Sequence, residues 1–244
     1  MRKNPKSSNS PTSTRPVPEA RGGRRAWLIP LIAAALVAAC ATPLAFIPVT
    51  PLLSAALATR GEDYLAAQQI AELEQKQDWQ GLARLAQQRL LRYPDSEDWM
   101  LVLGVAQIQL KAYPRAIETL SRAVEHNPEE MDAWNLLGEA LRLDGQKARA
   151  IQLLERAAGI SSSTPATRFL LGELYSETGR KDRAEAAYLE AVRLEPEFSP
   201  AWFGLGVLLV KTGRTGEVDA IVRRLERLSA PLARELAGMA AGNK

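Results

Sequence analysis

Residues 131–164 read MDAWNLLGEALRLDGQKARAIQLLERAAGISSST, and residues 165–198 follow as PATRFLLGELYSETGRKDRAEAAYLEAVRLEPEF. Aligned end to end, the two stretches share a Leu-Gly pair at their seventh and eighth positions and alanines further on. The pair recurs upstream and downstream: Leu103-Gly104, Leu137-Gly138, Leu171-Gly172 and Leu205-Gly206, each 34 residues after the last. A period held through three steps without insertion marks a stack of identical supersecondary units, and 34 residues is the length of a helix–turn–helix repeat.

The same register orders the rest of the unit. Position 4 is Met100, Trp134, Arg168 and Trp202; position 20 is Ala116, Ala150, Ala184 and Val218. Position 24 is Leu120, Leu154, Tyr188 and Val222, and position 27 is Ala123, Ala157, Ala191 and Leu225. Small residues at 8 and 20 let two antiparallel helices approach, and large residues at 4, 7, 11 and 24 fill the space beside them. Prolines at position 32, Pro128 and Pro196, mark connections between units, because proline cannot continue a helix interior. Gly145, Gly179 and Gly213 fall at position 15, where the first helix must stop and a left-handed residue is wanted; Lys111 stands there in the first repeat.

This pattern resembles the tetratricopeptide repeat (TPR) family over about 97–230. The expected fold is all-α: a TPR solenoid of four repeats (97–130, 131–164, 165–198 and 199–230) preceded by a diverged pair at 63–96. In that pair Ile70 replaces the glycine, Leu82 the alanine at 20, and Arg89 stands where a small residue is usual. Residues 63–75 and 79–92 nevertheless space their apolar side chains as amphipathic helices. Pro231 followed by Leu232, Leu236 and Met239 predicts a capping helix in 231–244.

Charge is segregated along the chain. Residues 1–25 hold seven bases against Glu19 alone, which leaves 24 bases against 27 acids in 26–244, a net of −3. A mildly acidic domain behind a basic tail does not point to nucleic acid. The tail, rich in Ser, Pro, Asn and Thr, reads as disordered. Ala26 to Thr59 contains no charged residue. Its most apolar part, Trp27 to Ile47, is about 31 Å long as a helix, close to the ~30 Å hydrocarbon thickness of a bilayer. Residues 26–47 are therefore expected to cross a membrane, with 48–62 as connector. Arg21, Arg24 and Arg25 before that segment place 1–25 in the cytoplasm and the repeats on the far side, in a bacterial cell the periplasm. A competing reading comes from Val37-Ala38-Ala39-Cys40, which has the form of a lipobox; Cys40 would then carry lipid and 1–39 would be removed. Against it, Leu44, Phe46, Ile47 and Val49 keep the chain apolar beyond the cysteine.

Residues for catalysis or metal binding are sparse. His126, the sole histidine, lies at a helix end, where the carbonyl dipole accounts for it. It has neither a second histidine nor a nearby cysteine for ligation. Glu129, Glu130 and Asp132 open a helix, where acids suit the dipole. No phosphate loop or nucleophile elbow occurs. The sequence thus points to a non-enzymatic protein with no cofactor and no small-molecule substrate. The family resemblance implies that positions 2, 5, 9, 12 and 13 of the first helices line a concave groove for a protein or peptide partner. Those positions bring in Leu101, Val105, Ile108 and Gln109; Asn135, Glu139 and Arg142; Phe169, Glu173 and Ser176; and Phe203, Val207, Val210 and Lys211. Phe169 and Phe203 are expected to expose apolar surface unless covered. The lysine/asparagine clamp of chaperone-binding TPR proteins is poorly matched, since position 5 is leucine or phenylalanine in three of the four repeats.

Overall fold

The structure, a computed structural model, describes residues 63–160 and 164–242. The basic tail, the apolar segment 26–47 with Cys40, and the connector 48–62 lie outside the described residues. Among those described there are eleven helices and no strand. They run α1 Asp63–Gln75, α2 Trp79–Arg92, α3 Glu97–Gln109, α4 Tyr113–His126, α5 Met131–Leu143 and α6 Lys147–Ala158, then α7 Pro165–Glu177, α8 Lys181–Leu194, α9 Ser199–Lys211, α10 Thr215–Leu228 and α11 Ala230–Ala241. None of the described helices is long and apolar enough to cross a membrane.

Each helix packs on the next, and the first helices α3, α5, α7 and α9 also touch one another in series. This is the connectivity of a solenoid, in which every unit is held by its neighbours. Among the described residues, α1 and α3 make no such backbone approach. Instead Ala66, Ala67 and Ile70 of α1 share an apolar cluster with Leu82 and Ala86 of α2 and Trp99, Val102 and Ala106 of α3. A second, larger cluster runs from Met100 to Leu236.

The turn inside each unit is the same turn made five times. Position 15 lies in the left-handed region throughout, at φ 54° for Gln77, 56° for Lys111, and 80°, 75° and 76° for Gly145, Gly179 and Gly213. The following amide then reaches back along the helix end: Asp78 to the Leu73 carbonyl, Ala112 to Gln107, Gln146 to Leu141, Arg180 to Tyr175 and Arg214 to Leu209, all at 2.8–2.9 Å. These are Schellman closures, which satisfy carbonyls that the helix end leaves free. Lys111 and Gln77 adopt the conformation although they carry side chains.

Position 8 shows why glycine is required within the helix. A Cβ on Gly104 would lie 2.5 Å from a Leu120 methyl, and one on Gly138 would lie 2.8–2.9 Å from three carbons of Leu154. On Gly172 it would meet the Tyr188 ring at 2.5 Å. Each glycine is therefore pressed against position 24 of its own unit. In the last unit the partner changes: Gly206 is pressed in the same way against Leu236 of α11. The capping helix supplies a fully buried leucine there.

Position 4 ties units together. The Trp134 and Trp202 indoles donate to the carbonyls of Pro128 and Pro196 in the preceding connection, both at 2.9 Å. Arg156 and Arg224, each at position 26, lie over those indoles at 5.6 and 5.9 Å. Arg168, which replaces the tryptophan in the third repeat, donates to the Ala158 carbonyl at 2.8 Å. The arginine also makes a hydrogen bond across the junction, to a carbonyl four positions earlier than the one the tryptophans use, and gives up the ring.

Gly138→Ala should cost about 1–3 kcal/mol, because buried Leu154 has no room to retreat. Gly216→Ala in α10 meets nothing within 4 Å and should change stability by less than about 0.5 kcal/mol. Urea unfolding of the two variants measures the difference; equal midpoints would contradict the close-approach account.

Candidate partner-binding groove

Positions 5, 9 and 12 of the first helices are the ones expected to line a groove. Leu101, Val105, Asn135, Glu139, Phe169 and Phe203 are all 7% exposed or less. The open aromatic surface expected at Phe169 and Phe203 is therefore not observed. Phe169 lies between Tyr188 of α8 and Phe198, the last residue of its own repeat just before α9, with both ring centroids 6.0 Å away. Phe203 and Leu101 belong to the main apolar cluster. Bulky side chains at position 5 are thus part of the core, and Phe169 fills the space between α8 and the chain entering α9.

Polar residues at the same positions are tied together as well. Asn135 accepts a hydrogen bond from the Thr167 hydroxyl at 2.9 Å, one unit further on. Arg142 grips Glu139 with Nε and Nη2, both at 2.7 Å, and donates from Nη1 to Glu177 at 2.6 Å. Lys147 closes the chain on the other Glu177 oxygen at 2.9 Å. Burial works to raise the Glu177 carboxyl, but Lys147 and Arg142 outweigh it and hold it below the usual carboxylate range. The Arg142 side chain is only 12% exposed while Glu177 is 26% exposed, so this bridge between the second and third repeats runs from the interior to the rim. Glu173 accepts from the Tyr188 hydroxyl.

What remains accessible of the expected groove set is Ile108, Gln109, Glu173, Ser176 and Val207, all half-buried, and exposed Lys211. These side chains are two aliphatic residues, three polar ones and, in the last repeat, a cation. Val210 is buried. His126 faces Glu97 at 3.4 Å and Asp95 at 3.9 Å. Among the described residues no group of His, Cys, Asp or Glu is placed to hold a metal ion.

Two groove-side residues escaped the sequence reading. Glu74 occupies position 12 of the diverged pair, the position of Arg142 two units later, and is 2% exposed with neither oxygen hydrogen-bonded. Burial pushes its carboxyl up to about 8. Gln107, one position earlier in α3, likewise has an unsatisfied Oε1. The register itself held the signal for Glu74, but a glutamate in a helix reads as solvated until its neighbours are known. Glu177 was legible in the same way, at position 13.

Truncating Arg142 to alanine strands Glu139 in the interior and should cost about 2–4 kcal/mol, whereas Lys147→Ala at the rim should cost less than about 1 kcal/mol. Thermal unfolding of the two variants checks the order. For Glu74 the sign follows from linkage. With its carboxyl raised in the folded state, folding takes up a proton between the unfolded value of 4.5 and about 8. Stability from this group is full below that window and is lost as pH rises through it. Glu74→Gln should therefore gain on wild type by up to about 5 kcal/mol in total between about pH 4 and 8. Parallel stability–pH curves for the two proteins would refute the assignment.

Comparison with known proteins agrees with this geometry. A family model described as tetratricopeptide repeat matches residues 72–125, 113–165 and 169–217. No curated protein matches the chain in sequence. Among solved structures, MamA is similar at 25% identity with a TM-score of 0.52, covering 70% of this chain and 96% of that one. TTC0263, a thermophilic TPR protein of Thermus thermophilus, is similar at 21% identity with a TM-score of 0.59, covering 69% and 93%. The APC/C hetero-tetramer Cut9–Hcn1 is similar at 16% identity with a TM-score of 0.57, covering 78% of this chain and 34% of that one. The two lower identities speak for the fold alone. With the family model matching more than half of its length, the chain belongs to the tetratricopeptide repeat family.

Proposed function

We propose that this protein is a membrane-anchored scaffold that holds a protein or peptide partner along the first-helix row and presents it on the periplasmic side of a bacterial cell membrane. The observation that carries the reading is the row itself. Four successive first helices are fixed in register by close-packed glycines and interior bridges, and Ile108, Glu173, Val207 and Lys211 line the part left open. Such an array offers apolar contact and a few hydrogen-bonding groups, which suits an extended or helical segment. Anchoring rests on the charge-free segment 26–47 and on the arginines that precede it. A lipid anchor at Cys40 is the second reading, favoured by Val37-Ala38-Ala39-Cys40.

A photo-crosslinking side chain at Val207 should give a discrete adduct in native membranes, and Lys211→Glu should reduce its yield at least threefold, about 0.7 kcal/mol of partner binding. The same group at exposed Leu189 of α8 should give little. Equal yields from the two positions would remove the groove from the account. A reporter active only in the periplasm, fused after Lys244, tests the orientation, and inactivity would reverse it. The intact mass of the membrane-extracted protein separates the two anchors, because lipidation at Cys40 entails loss of residues 1–39.

A further inference from the structure

The first unit has a surface unlike the others. Between α1 and α2 lies a cleft of about 1040 Å³, whose lining includes Leu73 of α1 and Arg84, Leu85, Arg89, Leu91 and Arg92 of α2. Leu91 is 86% exposed, more than any other large apolar side chain described, and Tyr93 beside it is exposed too. The arginines are not neutralised by their own helix. α2 contains three arginines and no acid, whereas α4, α6, α8 and α10 each carry at least one acid among their bases. Glu72, the one carboxylate among the residues lining the cleft, is paired with Lys76. Arg84 stands 4.0 Å from Asp78, and Arg89 and Arg92 lie over the rings of Trp99 and Tyr93. In a domain that is acidic overall, this is a local concentration of positive charge around exposed apolar side chains.

We propose that the α1–α2 cleft is a docking surface for an anionic lipid bilayer, with Arg84, Arg89 and Arg92 against the headgroups and Leu91 and Tyr93 at the level of the interface. Arginine, leucine and tyrosine together are what an interfacial segment requires: charge for the anionic headgroup, apolar surface for the acyl boundary. The position of the cleft along the chain selects a bilayer over an acidic protein. This step rests on the reading of 26–47 as the membrane segment. Fifteen residues, 48–62, then separate that segment from α1, and they reach at most about 50 Å even when fully extended. The first unit is thus the one held closest to the membrane, where tethering keeps headgroups at a high effective concentration. Docking there would fix the direction in which the rest of the solenoid points.

The test uses the full chain with Cys40→Ser and Leu91→Cys, labelled at position 91 with an environment-sensitive fluorophore. It is reconstituted with phosphatidylcholine vesicles, with or without phosphatidylglycerol. The emission is expected to move to the blue only with phosphatidylglycerol, and to return to the value in water at raised salt. Each basic side chain near such a surface contributes about fivefold to association, so Arg84→Gln/Arg92→Gln should weaken docking about 25-fold and abolish the shift. Both residues are exposed, and circular dichroism checks that the variant keeps its helices. Equal emission in the two vesicle types, or a shift that survives in the double variant, overturns the proposal. So does a shift produced by an acidic peptide while vesicles remain silent, which makes a protein segment the occupant. Flotation with plain phosphatidylcholine vesicles reports the anchor separately. A chain that floats without a shift refutes the cleft and keeps the span; a chain that does not float yet responds to phosphatidylglycerol does the reverse.

Discussion

The approach of position 24 to the glycine at position 8 is the contact from which the rest of the architecture follows. With Leu120, Leu154 and Tyr188 seated directly on Gly104, Gly138 and Gly172, the two helices of a unit lie too close for any side chain to intervene. That closeness sets the tilt of each hairpin, and repetition of one tilt makes a solenoid rather than a bundle. The last unit shows the constraint from the other side. Its position 24 is Val222, and the space above Gly206 is filled by Leu236 from the extra helix instead. The end of the array is thus closed with the same kind of contact that builds its interior.

Much of this was readable from residue spacing, because a repeat states each packing requirement several times. The Leu-Gly pairs, the alanines at 20 and 27 and the glycines at 15 are short-range demands of two helices and a turn, and one register locates them all. Where the demand was met by an unusual residue, the spacing said less. Lys111 and Gln77 make the left-handed turn without being glycine, and Arg168 replaces a tryptophan with a hydrogen bond to a different carbonyl across the junction. Such substitutions depend on what lies across the junction, which no window of sequence contains.

The inner surface was the least legible part for a related reason. Position 5 marks the side of the helix, but whether a side chain there meets solvent or the next unit depends on its length. Phe169 reaches Phe198 and Tyr188, and Asn135 reaches Thr167, so both are absorbed into the wall. Arg142 spans from Glu139 to Glu177, which is distant in sequence yet adjacent in the stack. The row of first helices is consequently less exposed than a list of positions suggests, and only a smaller set of its side chains is open to solvent.

The handed turn at position 15 also sets a gradient along the array. A side chain in the left-handed region costs roughly 1–2 kcal/mol relative to glycine, and only the two N-terminal units bear that cost, at Gln77 and Lys111. Among the described residues, the same end also lacks the close backbone approach between consecutive first helices that all later units have. In a linear array with nearest-neighbour coupling, opening begins where the intrinsic and interfacial terms are both weakest. The solenoid is therefore a rod with a compliant root and a rigid shaft: under load or thermal agitation its first hairpin yields before the register of the other four is disturbed.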